Sequence, residues 1–115
     1  MSPIKLLWRG LNVQPLRLAL DRNPQLWDQR TERTASEDSP HHGLSDIWAR
    51  FADPATMQAD GSHDSVWYAP ADVLPVRDIV FPLMAAVRGE RLGGVLITRI
   101  RPGQTCKPHT DPGWH

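Results

Sequence analysis

Near the C-terminus an imidazole and a carboxylate stand two residues apart, His109 and Asp111, within the run Cys106-Lys107-Pro108-His109-Thr110-Asp111-Pro112-Gly113-Trp114-His115. In an extended segment, side chains two apart project to the same face, so this His-x-Asp pair can offer a ring nitrogen and a carboxylate oxygen to one cation. Two His and one carboxylate on one face of an octahedral iron leave positions open for an oxidising cosubstrate and for dioxygen; His-x-Asp supplies two of those three ligands. The third has to come from elsewhere. If Pro112-Gly113 forms the centre of a type II turn, His115 faces away from His109 and Asp111 and reads as an ordinary terminal imidazole.

Other residue types that could join such a centre have simpler readings. His41-His42 beside Gly43 and His63 in Gly61-Ser62-His63-Asp64 are imidazoles in polar loops, where surface histidines are common. Cys106 is a soft ligand better suited to zinc or copper than to an oxygen-activating iron, and a structural thiol is the simpler expectation. Arg50, Arg99 and Arg101 could reach an anionic substrate, or could be solvated strand charges. Trp8, Trp27, Trp48 and Trp67 read as packing residues, whereas Trp114 could line a pocket mouth beside the His-x-Asp pair.

The 115 residues leave room for one small domain. Thirteen basic residues balance thirteen acidic ones, so no global field recruits nucleic acid or an anionic membrane surface. A lone cysteine rules out an internal disulfide and suits a reducing compartment, which makes a cytoplasmic location the expectation. The apolar run near the N-terminus is too short for a signal peptide, and none approaches membrane-spanning length.

Periodicity outlines the elements that must position the pair. Ile4, Leu6 and Trp8 alternate with Lys5 and Leu7, predicting a strand over 4–8 that Gly10 ends. Asn12 can cap a helix with Val13, Leu16 and Leu20 on one side, and Asn23-Pro24 marks its exit. A weaker strand is expected over 26–31. Residues 32–43 offer little to bury and read as a long polar loop open to movement. Over 45–51, Ile47, Ala49 and Phe51 are expected on one face of a strand, with Trp48 and Arg50 on the other. A loop over 52–63 and a short strand over 66–68 follow. Val76, Ile79, Val80, Leu83, Met84 and Val87 make an apolar stripe for a helix over 76–88, stopped by Gly89 and kinked or divided at Pro82. The β-branched run over 94–100 predicts a strand covered on both faces near its start.

The strand over 94–100, the Arg101-Pro102-Gly103 turn and the segment Pro108-His109-Thr110-Asp111-Pro112-Gly113-Trp114-His115 together resemble the aspartyl/asparaginyl β-hydroxylase-like family of Fe(II)- and 2-oxoglutarate-dependent oxygenases. The resemblance covers roughly the last forty residues by motif, and the rest only by order of elements. It implies an α+β fold built on a partial double-stranded β-helix (cupin- or jelly-roll-like) with flanking helices. It further implies Fe(II) on His109 and Asp111, 2-oxoglutarate as cosubstrate, and hydroxylation of an aspartyl or asparaginyl side chain in a peptide or of a free amino acid. The family's second metal-binding His and its 2-oxoglutarate-gripping basic residues lie further along than position 115. The chain therefore reads as one incomplete oxygenase-like domain with weak metal binding and little turnover, its later strands missing and an open sheet edge for a partner or second copy to cover. Another reading of the same residues is a non-catalytic cupin-like binding or assembly module; a third is a metal-dependent hydrolase or isomerase with zinc or manganese in a cupin-type site.

Overall fold

A computed structural model describes residues 4–110. The chain forms three helices, α1 (Gln14–Arg22), α2 (Pro70–Val73) and α3 (Arg77–Ala86), and three strands, β1 (Ser45–Ala52), β2 (Ser65–Trp67) and β3 (Val95–Arg99). The strands make one open antiparallel sheet in the order β2-β1-β3, an α+β arrangement with β1 at its centre. No helix among the described residues is long and apolar enough to cross a membrane.

The core lies on one face of this sheet. Ile47 and Ala49 of β1 pack with Leu26, Ala71, Leu74 and Val76, and Leu16, Ala19 and Leu20 of α1 close over them. Helix α1 begins one residue later than Asn12 alone would set it: the Asn12 side chain accepts from the Gln14 N–H (3.1 Å), and Val13 takes the cap position. Val13 is exposed, so Ala19 replaces it in the buried stripe. The exit falls at Asn23, whose side-chain amide donates to the Ala19 carbonyl (2.8 Å), satisfying one of the helix's last acceptors before Pro24.

Helix α3 runs unbroken through Pro82, neither divided nor stopped there. Its end also departs from the expectation. The left-handed residue is Arg88 (φ 53°), and Gly89 follows it, donating its N–H to the Met84 carbonyl (2.9 Å) and closing the last turn. Helix α2 is a single turn that periodicity did not reveal, because four residues span too little chain to show a period.

Two expected strands do not form. Residues 4–8 adopt no regular structure, and Leu6, Leu7 and Trp8 are exposed. Alternation marks a segment that could bury one face, but a strand also needs a sheet edge to receive it, and that is a non-local requirement. Within 26–31, Asp28 takes a left-handed backbone (φ 62°) that breaks any extended run; Asp tolerates this conformation better than most residues. The segment still touches the sheet, since the Asp28 N–H donates to the Asp46 carbonyl (2.9 Å) and Asp28 Oδ1 accepts from the Asp46 N–H (3.3 Å).

Strand β1 carries a bulge that reverses its faces. Register runs Asp46 opposite Thr98, Ile47 opposite Ile97 and Trp48 opposite Leu96, then skips so that Arg50 lies opposite Val95. Two residues of β1 here oppose one of β3, and the alternation shifts by one. Phe51 therefore joins Trp48 on the face away from the core, their rings meeting edge to face with centroids 4.8 Å apart, and Arg50 moves to the Trp67 side, its guanidinium 5.1 Å from that ring. This corrects the expected grouping of Phe51 with Ile47 and Ala49. Strand β3 has its outer edge unpaired among the described residues, and its five residues are all half-buried.

Candidate functional site

The face of the sheet opposite the core carries an organised polar network. Asp46, near the start of β1, is almost wholly buried there. A carboxylate taken out of water survives only when charge and donors compensate it, and here both do. Arg33 Nη1 lies 3.0 Å from Asp46 Oδ2, and Thr98 Oγ1 donates to Asp46 Oδ1 at 2.7 Å across the β1–β3 pair. Arg33 comes from the 32–43 loop, so this ion pair clamps that loop to the sheet.

That segment is not the loosely held stretch its composition suggested. Thr34 is buried. The Ala35 N–H donates to the Thr31 carbonyl (2.9 Å), the Gly43 N–H to Thr34 (3.1 Å), the Leu44 N–H to His41 (3.1 Å), and the Ser39 hydroxyl to the Arg33 carbonyl. Polar side chains that have no apolar surface to bury can still order a loop by satisfying its backbone.

Above the strands lies a cavity of about 740 Å³, within the range usual for small-molecule sites. Its apolar wall is Trp48, Phe51, Leu96 and Met57, and its polar rim is Arg30, Arg33, His41 and His63. Arg30 stacks over Trp48 (4.6 Å to the ring centroid) and Tyr68 (5.2 Å), and its Nη2 lies 2.6 Å from Glu32 Oε2. The hydrogen bond from Arg30 holds the Glu32 carboxyl below its ordinary range, and the same bond raises Arg30.

A carboxylate whose folded value is lowered contributes stability above its unfolded value and loses it as pH falls through the folded one. Because both side chains are more than a third exposed, the pair is worth no more than about 0.5 kcal/mol. Glu32→Gln should therefore cost that small amount near neutrality in urea unfolding, and the difference should vanish once the pH lies below the carboxylate range. A gap that persists in acid would contradict the assignment to this ion pair.

His109 is exposed, and it comes to the cavity through His41. The Arg101-Pro102-Gly103 turn is held by the Arg101 N–H, which donates to Gln104 Oε1 (2.9 Å). The segment after the turn then docks along the loop: Gln104 Nε2 donates to the Gly43 carbonyl (2.8 Å) and the Lys107 N–H to the Pro40 carbonyl (2.9 Å). This brings the His41 and His109 rings edge to face, centroids 4.9 Å apart. His109 Nδ1 lies 2.7 Å from the Lys107 carbonyl, an acceptor only, so Nδ1 is the donor of this hydrogen bond. Metal-ligating histidines are commonly anchored in this way, with one ring nitrogen on a backbone carbonyl. In that respect His109 fits a metal centre. Asp111 lies outside the described residues, as do Trp114 and His115. Among the described residues no three His, Cys, Asp or Glu side chains are grouped to hold an ion.

The remaining candidates are placed as follows. His63 lines the cavity with Nδ1 3.1 Å from the Asp64 carbonyl, and His42 is exposed. Cys106 is half-buried with Sγ 3.8 Å from the Lys107 carbonyl. Arg99 lies over Trp27 (4.4 Å), and Arg50 donates from Nε to the Leu92 carbonyl (3.3 Å); both are thus engaged away from the cavity. Arg101 is an exposed turn residue. Residue types alone did not single out Arg30, Arg33, Asp46 or Thr98. The one available signal was Asp46 itself, an acidic residue set directly before the apolar pair Ile47-Trp48 in a strand.

Compared with known proteins, the chain matches no family model, no curated protein and no solved structure.

Proposed function

We propose that this chain is the metal-bearing part of an Fe(II)- and 2-oxoglutarate-dependent dioxygenase, its three-stranded sheet forming part of a double-stranded β-helix. The observation that supports this reading most is the docking of the His109 segment beside the cavity, with the imidazole anchored through Nδ1 on the Lys107 carbonyl. His109 and Asp111 hold the metal, with a second imidazole completing the set. Iron with 2-oxoglutarate supplies the oxidising chemistry when bound. The chain's own contribution is positional. Trp48, Phe51 and Leu96 exclude water from one side of the cavity, and Arg30 and Arg33 fix its polar rim. The substrate in this reading is an aspartyl or asparaginyl side chain or a free amino acid, a small polar group of a size the cavity accommodates.

The test is a titration with Mn(II), an inert surrogate for Fe(II), followed by water proton relaxation on the 115-residue chain. Weak binding is expected, reduced at least tenfold by either His109→Ala or Asp111→Ala, with little conversion of 2-oxoglutarate to succinate when Fe(II) is supplied. Binding that neither substitution alters would end the oxygenase reading.

A further inference from the structure

We infer that the cavity takes a free α-amino acid with an apolar side chain, its carboxylate on Arg33, its ammonium on Glu32 and its side chain against Trp48, Phe51, Leu96 and Met57. This rests on reading the chain as part of an oxygenase of amino acids or peptides, and within that reading it selects the free, apolar substrate over the acidic side chain of a peptide.

Charge on the rim comes in cancelling pairs. Arg30 is paired with Glu32 and Arg33 with the buried Asp46, so the rim draws neither a simple anion nor a simple cation from a distance. A ligand that carries both charges matches such a rim, and an α-amino acid carries them on one carbon. Glu32 and Arg33 are adjacent in the chain and both line the cavity. The Arg33 guanidinium makes one hydrogen bond among the described residues, from Nη1 to Asp46 Oδ2 (3.0 Å). Its side chain keeps some exposure, so the rest of the planar fork can meet a second carboxylate. On Glu32, Oε2 takes the two shorter contacts from Arg30 (2.6 and 2.9 Å) and Oε1 only one of 3.2 Å, which leaves Oε1 able to accept from an ammonium.

The apolar wall stands directly beside these charges. Arg30 lies over Trp48 (4.6 Å) and Arg33 over Phe51 (5.9 Å), and the two rings meet at 4.8 Å. Met57 is half-exposed across the cavity, an unbranched and adaptable surface for a ligand to cover. An aliphatic or aromatic side chain gains by burial against this wall, whereas an aspartyl or asparaginyl group would give up water for carbon. In a peptide the α-amino and α-carboxyl groups are neutral amides, so neither would bring a charge to Glu32 or Arg33.

The test is a titration of the 115-residue chain followed by amide NMR, without iron or 2-oxoglutarate. L-leucine or L-phenylalanine is expected to shift the amides of residues 30–33 and 48–51. N-acetyl-L-leucinamide, isocaproate, isoamylamine and L-aspartate should each bind about tenfold more weakly than L-leucine, or less. Glu32→Gln, which scarcely affects the fold, should weaken L-leucine by about tenfold while leaving isocaproate, which has no ammonium, unchanged. Tighter binding of L-aspartate or N-acetyl-L-aspartamide would overturn the proposal and leave the oxygenase reading with a peptide or acidic substrate. Equal affinity of Glu32→Gln for L-leucine, or no response to either apolar amino acid, would also overturn it, and the oxygenase reading would still be judged separately by the Mn(II) titration.

Discussion

Asp46→Ala is expected to destabilise the fold by about 3 kcal/mol, near the lower end of what breaking one partner of a buried ion pair costs. The Asp46 side chain is fully buried, and its loss strands the Arg33 guanidinium and the Thr98 hydroxyl together. Arg33 retains some exposure and can turn partly toward water, which keeps the cost from the top of the range. Asp46→Asn preserves volume but has one amide oxygen, which can accept from Thr98 or face Arg33 but not both, and it carries no charge, so an intermediate loss is expected. The double replacement Asp46→Leu with Arg33→Met should recover much of the stability, since matched apolar groups avoid the desolvation of both charges. Urea unfolding near neutral pH, with the slope checked for constancy, measures all three. A change of less than about 0.5 kcal/mol for Asp46→Ala would mean that the network contributes nothing to the folded state. Because the same ion pair fixes the loop carrying His41, Asp46→Ala should also loosen the His41–His109 contact.

Trp48 carries the second large effect. Its side chain floors the cavity and packs against Phe51, Tyr68 and Arg30 at once. Trp48→Ala should cost about 3–5 kcal/mol through lost burial and the void left behind. Trp48→Phe should cost much less, about 1–2 kcal/mol, for a specific reason. The indole Nε1 is buried without a hydrogen-bond partner among the described residues, so phenylalanine surrenders no bond and removes an unsatisfied donor. Equal losses for the two substitutions would show that the indole nitrogen is satisfied in solution. A folded Trp48→Ala protein should in addition show an enlarged cavity, and Arg30 stripped of one of its two aromatic platforms.

Where local chemistry was decisive, the elements could be read in advance. Val95 to Arg99 is β-branched and flanked by glycine, and it is a strand. The stripe from Ile79 to Met84 is helical even across Pro82. The Asn23-Pro24 exit stands where steric exclusion before proline requires it. Alternation failed at 4–8 because it reports a capacity to bury one face and carries no information about whether an edge is available, whereas the strand expected over 26–31 is broken by the left-handed backbone of Asp28. It failed at Phe51 because a bulge is a property of two paired strands, invisible in one of them.

The candidate site divides along the same line. By itself the sequence determined the residue chemistry: an imidazole and a carboxylate two apart after a tight turn, a balanced charge that gives no long-range attraction to polyanions, and apolar periods sufficient for an α+β core. Only the tertiary structure decided that Asp46 would be the buried acid, that Arg33 would meet it, and that His41 would stand against His109. Each of these pairs joins residues 13 to 68 positions apart, and such contacts form when the sheet closes and the loops over it find backbone partners. Local sequence rules reach only a few residues along the chain and do not encode which distant groups that closure will bring face to face.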